Sequence, residues 1–248
     1  MSGHSHYATI KRQKGAKDAA KGKVFSKLGK AISIAVKTGG GTDPEANHKL
    51  RMAVDTARAA NMPKDNIERA ISRAGGEAAN LEEVTYEGFA PGGVGILVEA
   101  ATDNRNRTSQ EIKNLFERGG GNLAGPGSVS FNFDPKGLIL LKKSGNFEEQ
   151  MMALIDAGAE DVEETDDEIE VYVHADKLAE TRSALQQKGF EVLSMELTRK
   201  PKVLVPISNV SEAQRILKLL DALEDSEDVQ KVYANLDIPQ EIIKEIAT

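Results

Sequence analysis

Residues 3–30 read GHSHYATIKRQKGAKDAAKGKVFSKLGK, with Lys11, Arg12, Lys14, Lys17, Lys21, Lys23, Lys27 and Lys30 opposed locally only by Asp18. Side chains of this type at this spacing suit one chemistry above all, the neutralisation of a phosphate backbone. A dense field of one sign costs self-repulsion unless a partner cancels it, so a polyanion explains the run better than solubility does. The field is local. Residues 1–75 hold 15 Lys/Arg and 6 Asp/Glu, a surplus of +9, whereas the other 17 and 33 leave residues 76–248 at −16, giving the formal net charge of −7. A second candidate lies at 103–108, DNRNRT. At a helix start, free backbone N–H groups and the guanidinium groups of Arg105 and Arg107 would hold a phosphate. The same residues also read as a cap formed by Asp103, Asn104 or Thr108 beside two solvated arginines.

The elements that must carry these groups follow from periodicity. At 100° per residue Val24, Phe25, Leu28, Ile32, Ala35 and Val36 share one face, with Lys23, Lys27, Lys30 and Lys37 opposite, which predicts an amphipathic helix over 24–38 ending at Gly39-Gly40-Gly41. Extended backwards, it would turn Lys14, Lys17 and Lys21 onto the apolar side. Residues 2–21 are therefore expected to form an exposed arm, partly helical or ordered on binding. Asp43-Pro44 reads as an N-cap and first helical residue of a second helix through about Ala60. Met62-Pro63 opens a third, closed by Gly75-Gly76.

Further on, a short strand at 84–87, the turn-rich FAPGG, a strand at 94–101, a helix from about Thr108 to Gly119 and an alternating SVSFNF strand succeed one another. Residues 137–199 then run strand, helix, strand, strand, helix, strand, the ferredoxin-like order. A helix at 211–223 and a strand at 229–235 complete the unit begun at Val84. The expected fold is α+β and multidomain: a basic helical nucleic-acid-binding domain (1–78), a discontinuous α+β domain (79–133 and 205–248) and an inserted ferredoxin-like domain (134–204).

Composition removes most other chemistry. With no cysteine among 248 residues, disulfides, thiolate nucleophiles, zinc fingers and iron–sulfur clusters are excluded. His4 and His6 lack further ligands, and no catalytic constellation can be named, so neither metal, cofactor, small-molecule substrate nor enzymatic activity is expected. GGGNLAGPG at 119–127 follows a helix rather than a strand, which fits a helix stop and a long turn and not a nucleotide loop. The acidic run at 160–170 reads as the solvated tip of a hairpin. No run of 18 apolar residues and no apolar leader occur, so a soluble, cytoplasmic protein without membrane contact is expected. A basic, acid-poor start also suits a mitochondrial presequence, but lysine outnumbers arginine there and the segment leads straight into a patterned helix.

GHS near the start, the lysine arm, GGG, NMP followed by IERAI, YEGFAPGGV, TDNRNRT and GGNL together resemble the YebC family, and the likeness covers nearly the whole chain. Its bacterial members are labelled probable transcriptional regulatory proteins, and a mitochondrial relative is a translational activator of cytochrome c oxidase subunit I. The resemblance implies a helical N-terminal domain, two α+β domains and no presequence before Gly3. It implies one of two partners. Either the arm grips DNA beside the transcription machinery, or it threads ribosomal RNA while the acidic domains meet the ribosome. Lys-Trp usually follows GHS, and here His6-Tyr7 stands instead, so Tyr7 offers a smaller ring for base stacking.

Overall fold

The computed structural model of the chain describes residues 18–75, 81–165 and 168–247. These fall into two compact units, one holding the described residues of 18–130 and 211–234, the other those of 131–210 and 235–247. The fold is α+β, a three-helix segment followed by two sheet domains, with the chain leaving the first sheet after its third strand and returning to it for the fourth.

In the first unit, α1 (Asp18–Thr38), α2 (His48–Ala59) and α3 (Lys64–Gly75) bury Ile32, Ala35, Val36, Leu50, Val54, Ala57, Met62, Ile67 and Ala74 among one another. The inward face of α1 is as its periodicity predicts, except that Val24 remains 38% exposed. The helix also begins earlier than expected, at Asp18, so Lys21 lies within it. Entry to α2 differs from expectation too. The Asp43 carboxylate accepts from the Glu45 N–H at 2.9 Å, closing only a turn. The helix starts later because Asn47, 1% exposed, accepts from the Leu50 N–H at 3.0 Å and donates to the carbonyls of Ala35 and Gly41, both at 2.8 Å. Gly39 leaves room for this, since a Cβ there would stand 1.9 Å from Asn47 Oδ1.

The first sheet has the order β3-β1-β2-β9, antiparallel throughout, from β1 (Glu82–Phe89), β2 (Gly95–Thr102), β3 (Asn122–Ala124) and β9 (Val229–Ala234). Helices α4 (Arg105–Arg118) and α7 (Val210–Asp225) belong to the same unit. Phe116 of α4 is fully buried, and Gly88 of β1 admits its ring, because a Cβ at 88 would lie 2.5 Å from it.

The second unit carries β4 (Phe133–Lys142), α5 (Phe147–Asp156), β5 (Asp161–Glu164), β6 (Glu168–His174), α6 (Leu178–Gln187) and β7 (Val192–Pro201) in the sheet order β5-β6-β4-β7. That is the antiparallel βαββαβ arrangement expected. A parallel pair, β8 (Val205–Pro206) with β10 (Leu236–Asp237), and the helix α8 (Gln240–Ala247) join it. The acidic run forms the β5–β6 hairpin, with residues 166–167 of its tip outside the described residues. It is less solvated than expected: Glu170, 1% exposed, accepts from the Tyr172 hydroxyl at 2.7 Å, and Glu163 pairs with Lys200 at 2.8 Å.

SVSFNF is not a strand. Residues 130–132 make a 3-10 turn with Phe131 71% exposed, and β4 begins at Phe133. The cause is Glu87, whose carboxylate takes the N–H groups of Gly127 (2.8 Å), Val129 (2.6 Å) and Ser130 (2.8 Å) that a strand would offer a neighbour. Burial opposes ionisation of Glu87, but these three donors outweigh it and hold its carboxyl below the usual range. Glu87→Gln removes the charge that binds the three amides. It is expected to cost about 2 kcal/mol in urea unfolding at neutral pH and to loosen amide exchange at Val129 and Ser130.

Candidate nucleic-acid interface

Helix α1 has two working faces. Beyond its bundle contacts it touches β2 and β9, and Lys27, Lys30 and Ile34, at i, i+3 and i+7, lie along one line of the helix. Ile34 is buried at 7% exposure. The Lys27 ammonium donates to the Glu224 carbonyl. That of Lys30 donates to the Glu227 carbonyl at 3.0 Å and to Asp228 Oδ1 at 2.6 Å. The last carbonyls of α7 have no partner within their own helix, and a lysine there answers both the vacant acceptor and the negative end of the dipole.

The Asp228 carboxylate is almost wholly buried. Its Oδ2 accepts from Thr108 Oγ1 at 2.6 Å, Arg107 Nη2 at 2.9 Å and Thr102 Oγ1 at 3.4 Å. Its main-chain carbonyl accepts from the Ala101 N–H at 2.7 Å. Desolvation alone would raise its pKa, yet the donors Lys30, Thr108 and Arg107 and the Lys30 charge override burial and hold the carboxyl far below the ordinary carboxylate range.

TDNRNRT is the other half of this arrangement. Asn104 is the N-cap of α4, its Oδ1 accepting from the Arg107 N–H at 3.1 Å, and Thr102 Oγ1 accepts from the Asn104 N–H at 2.9 Å and lies 2.8 Å from Thr108 Oγ1. Arg107 bridges Asp103 and Asp228, both at 2.9 Å. Arg105 is exposed, its carbonyl accepting from the Tyr86 hydroxyl at 3.3 Å. An open cleft of about 430 Å³ lies here, where Lys30 and Arg107 face Asp103, Glu111, Glu227 and Asp228. With four carboxylates against two cations, its field repels a phosphate. Of the two readings of DNRNRT, the geometry supplies the cap, at Asn104, and ties one of the two arginines into the fold.

The residues expected to bind phosphate are thus placed differently from one another. Lys23 is exposed, Lys27 and Lys30 reach the end of α7, and Lys21 lies in the helix. Tyr7, Lys11, Arg12, Lys14 and Lys17 lie outside the described residues. Sequence alone does not single out Asp228, and nothing in its surroundings, DSEDV at 225–229, distinguishes it. Ile34 was a usable signal, because an isoleucine centred in the lysine face of α1 marks that face as covered. Arg107→Ala is expected to lower the denaturation midpoint modestly, because its guanidinium is half-exposed and screened, while Arg105→Ala leaves it unchanged; chemical denaturation of both variants checks the contrast.

A family profile described as the TACO1/YebC protein N-terminal domain matches residues 5–77, and one described as TACO1/YebC second and third domain matches residues 81–236. A "probable transcriptional regulatory protein" of Dictyoglomus turgidum is 50% identical over 251 residues, covering 100% of each chain. One of the same name from Trichlorobacter lovleyi is 50% identical over 240 residues, covering 96% of each. The crystal structure of a conserved hypothetical protein from Aquifex aeolicus is similar at a TM-score of 0.82 and 44% identity, covering 90% of this chain and 92% of that one.

Proposed function

We propose that this chain, which belongs to the TACO1/YebC family, is a non-enzymatic cytoplasmic regulator of gene expression that binds nucleic acid through its basic N-terminal segment. One observation carries the reading: the +9 surplus of residues 1–75 against −16 in the remainder. Such a bipolar chain delivers one polyanion-seeking end and keeps the rest off phosphate. The names of the relatives agree with a regulator of transcription. In that version Lys11, Arg12, Lys14, Lys17, Lys21 and Lys23 grip DNA near promoters, with Tyr7 and Arg105 adding contacts.

A second version, a translation factor whose arm enters structured ribosomal RNA, is favoured by the docking of α1. With Lys27 and Lys30 turned to the end of α7, this helix offers no continuous basic face to lay in a major groove. Lys11, Arg12, Lys14 and Lys17 precede it in the chain, and Lys21 and Lys23 fall in its first turns, which suits an arm tracking a phosphate-lined passage. Formaldehyde crosslinking in growing cells, followed by purification of the protein and sequencing of recovered DNA and RNA, separates the two. Discrete promoter DNA supports transcriptional control, one ribosomal RNA site supports translation, and enrichment of neither overturns the nucleic-acid reading.

A further inference from the structure

We infer that Asp228 is the positioning residue that fixes the helical bundle on the first sheet domain, one carboxylate holding Lys30 of the bundle together with Arg107 and Thr108 of α4. This clasp is independent of what the basic segment binds. Each carboxylate oxygen serves a different element: Oδ1 takes Lys30 at 2.6 Å, and Oδ2 takes Thr108 at 2.6 Å and Arg107 at 2.9 Å. The residue itself is tied to the sheet through its carbonyl and the Ala101 N–H at 2.7 Å. The clasp therefore joins α1, α4, β2 and the α7–β9 connection at one point.

Apolar contact alone leaves such an interface free to slide. Ile34 is a buried hydrophobic on the line of Lys27 and Lys30, and apolar contact is non-directional, so by itself it favours no one rotation or register. A desolvated carboxylate with three directional donors has one satisfied arrangement and heavy penalties for others, which is how a buried polar network selects a geometry. The Lys27 and Lys30 bonds to the carbonyls of Glu224 and Glu227 act in the same direction, pinning α1 to the end of α7. The clasp thereby fixes where the first turn of α1, at Asp18, stands on the sheet domain. TDNRNRT on this account is the half of the clasp contributed by α4.

The chain has no cysteine, so two introduced thiols can carry spin labels without a background. Lys49→Cys on α2 and Lys113→Cys on α4 are exposed positions that report the bundle-to-sheet distance by pulsed dipolar spectroscopy. The labelled parent is expected to give one narrow distance. Asp228→Asn and Lys30→Met are each expected to broaden it or add a second distance while far-UV circular dichroism stays unchanged. Glu87→Gln, which weakens the same unit away from the clasp, is expected to keep the narrow peak, and broadening there would assign the effect to general destabilisation and overturn the inference. Narrow, unshifted peaks in both Asp228→Asn and Lys30→Met overturn it too. Should Asp228→Asn unfold the chain, Lys30→Met decides, since it leaves Asp228 its Arg107 and Thr108 donors.

Discussion

Replacing Lys14, Lys17 and Lys21 together by glutamine is expected to weaken nucleic-acid binding on the order of tenfold or more at low salt and to reduce the slope of log affinity against log salt by roughly two to three. Each lysine on a phosphate releases condensed counterion, so three lost contacts shallow the slope by a little less than one unit apiece. The loss is expected to be uniform across sequences, because phosphate contacts carry no base information. The double change Lys27→Gln with Lys30→Gln serves as the contrast: these two are held by the Glu224 and Glu227 carbonyls and by Asp228, so their removal should act on stability first. Fluorescence anisotropy titrations across a salt series, on a structured RNA and a duplex DNA of equal length, check both. An unchanged slope in the arm variant would remove the arm as the binding element.

The contrast between those lysines shows what periodicity reads well and where it stops. A helical wheel of α1 separates apolar from charged positions, and the bundle core of Ile32, Ala35 and Val36 follows from it. A wheel has no knowledge of a second layer, and lysines whose stems run along a covered face while their ammonium groups reach buried acceptors look identical to solvated ones. Strands with a clean apolar run and turn residues on either side, such as those of the ferredoxin-like unit, were legible for the same reason as the bundle core. β3 was not, because three residues between glycines leave no alternation to find. SVSFNF shows the opposite failure. Its alternation was real, but the backbone donors it needed for a ladder were claimed by Glu87, a residue far away in sequence. The start of α2 turned on a competition between two capping residues, and Asn47 prevailed over Asp43 because its amide also closes the end of α1.

Three of the motifs that carry the family resemblance have structural roles in the fold. In YEGFAPGG, Tyr86 reaches the first turn of α4, Glu87 organises the 127–130 loop and Gly88 admits Phe116. In TDNRNRT, Thr102, Asn104, Arg107 and Thr108 form the cap and the Asp228 clasp. GGNL stops α4 and enters β3. Distinctive sequence and partner-binding sequence are therefore different things here. YEGFAPGG, TDNRNRT and GGNL build the scaffold, whereas the proposed binding segment is a stretch of lysines that many unrelated chains would share.

Asp228→Ala is expected to cost about 3 kcal/mol or more of unfolding free energy at neutral pH, the range found when one member of a buried ion pair is removed. The cost lies at the lower end of that range because the orphaned cations are not equally trapped: Arg107 is 52% exposed and can return to water, whereas Lys30 is 22% exposed and less able to. Asp228→Asn keeps an acceptor for Thr108 and loses the charge, so it is expected to fall between the parent and the alanine variant. The pH dependence follows from the depressed pKa of Asp228 and, in the same direction, of Glu87. On acidification the unfolded chain takes up protons at these positions near the ordinary carboxylate values of about 4, while the folded chain resists. Their contribution is complete above those values and drains away as pH falls below them, so the urea midpoint of the parent should drop steeply between about pH 5 and pH 2. In Asp228→Asn that acid limb should be shallower, because one of the resisting carboxyls is gone, and the two curves should converge at the acid end. Parallel curves across the range would mean that Lys30, Arg107 and Thr108 hold Asp228 no more favourably than water does.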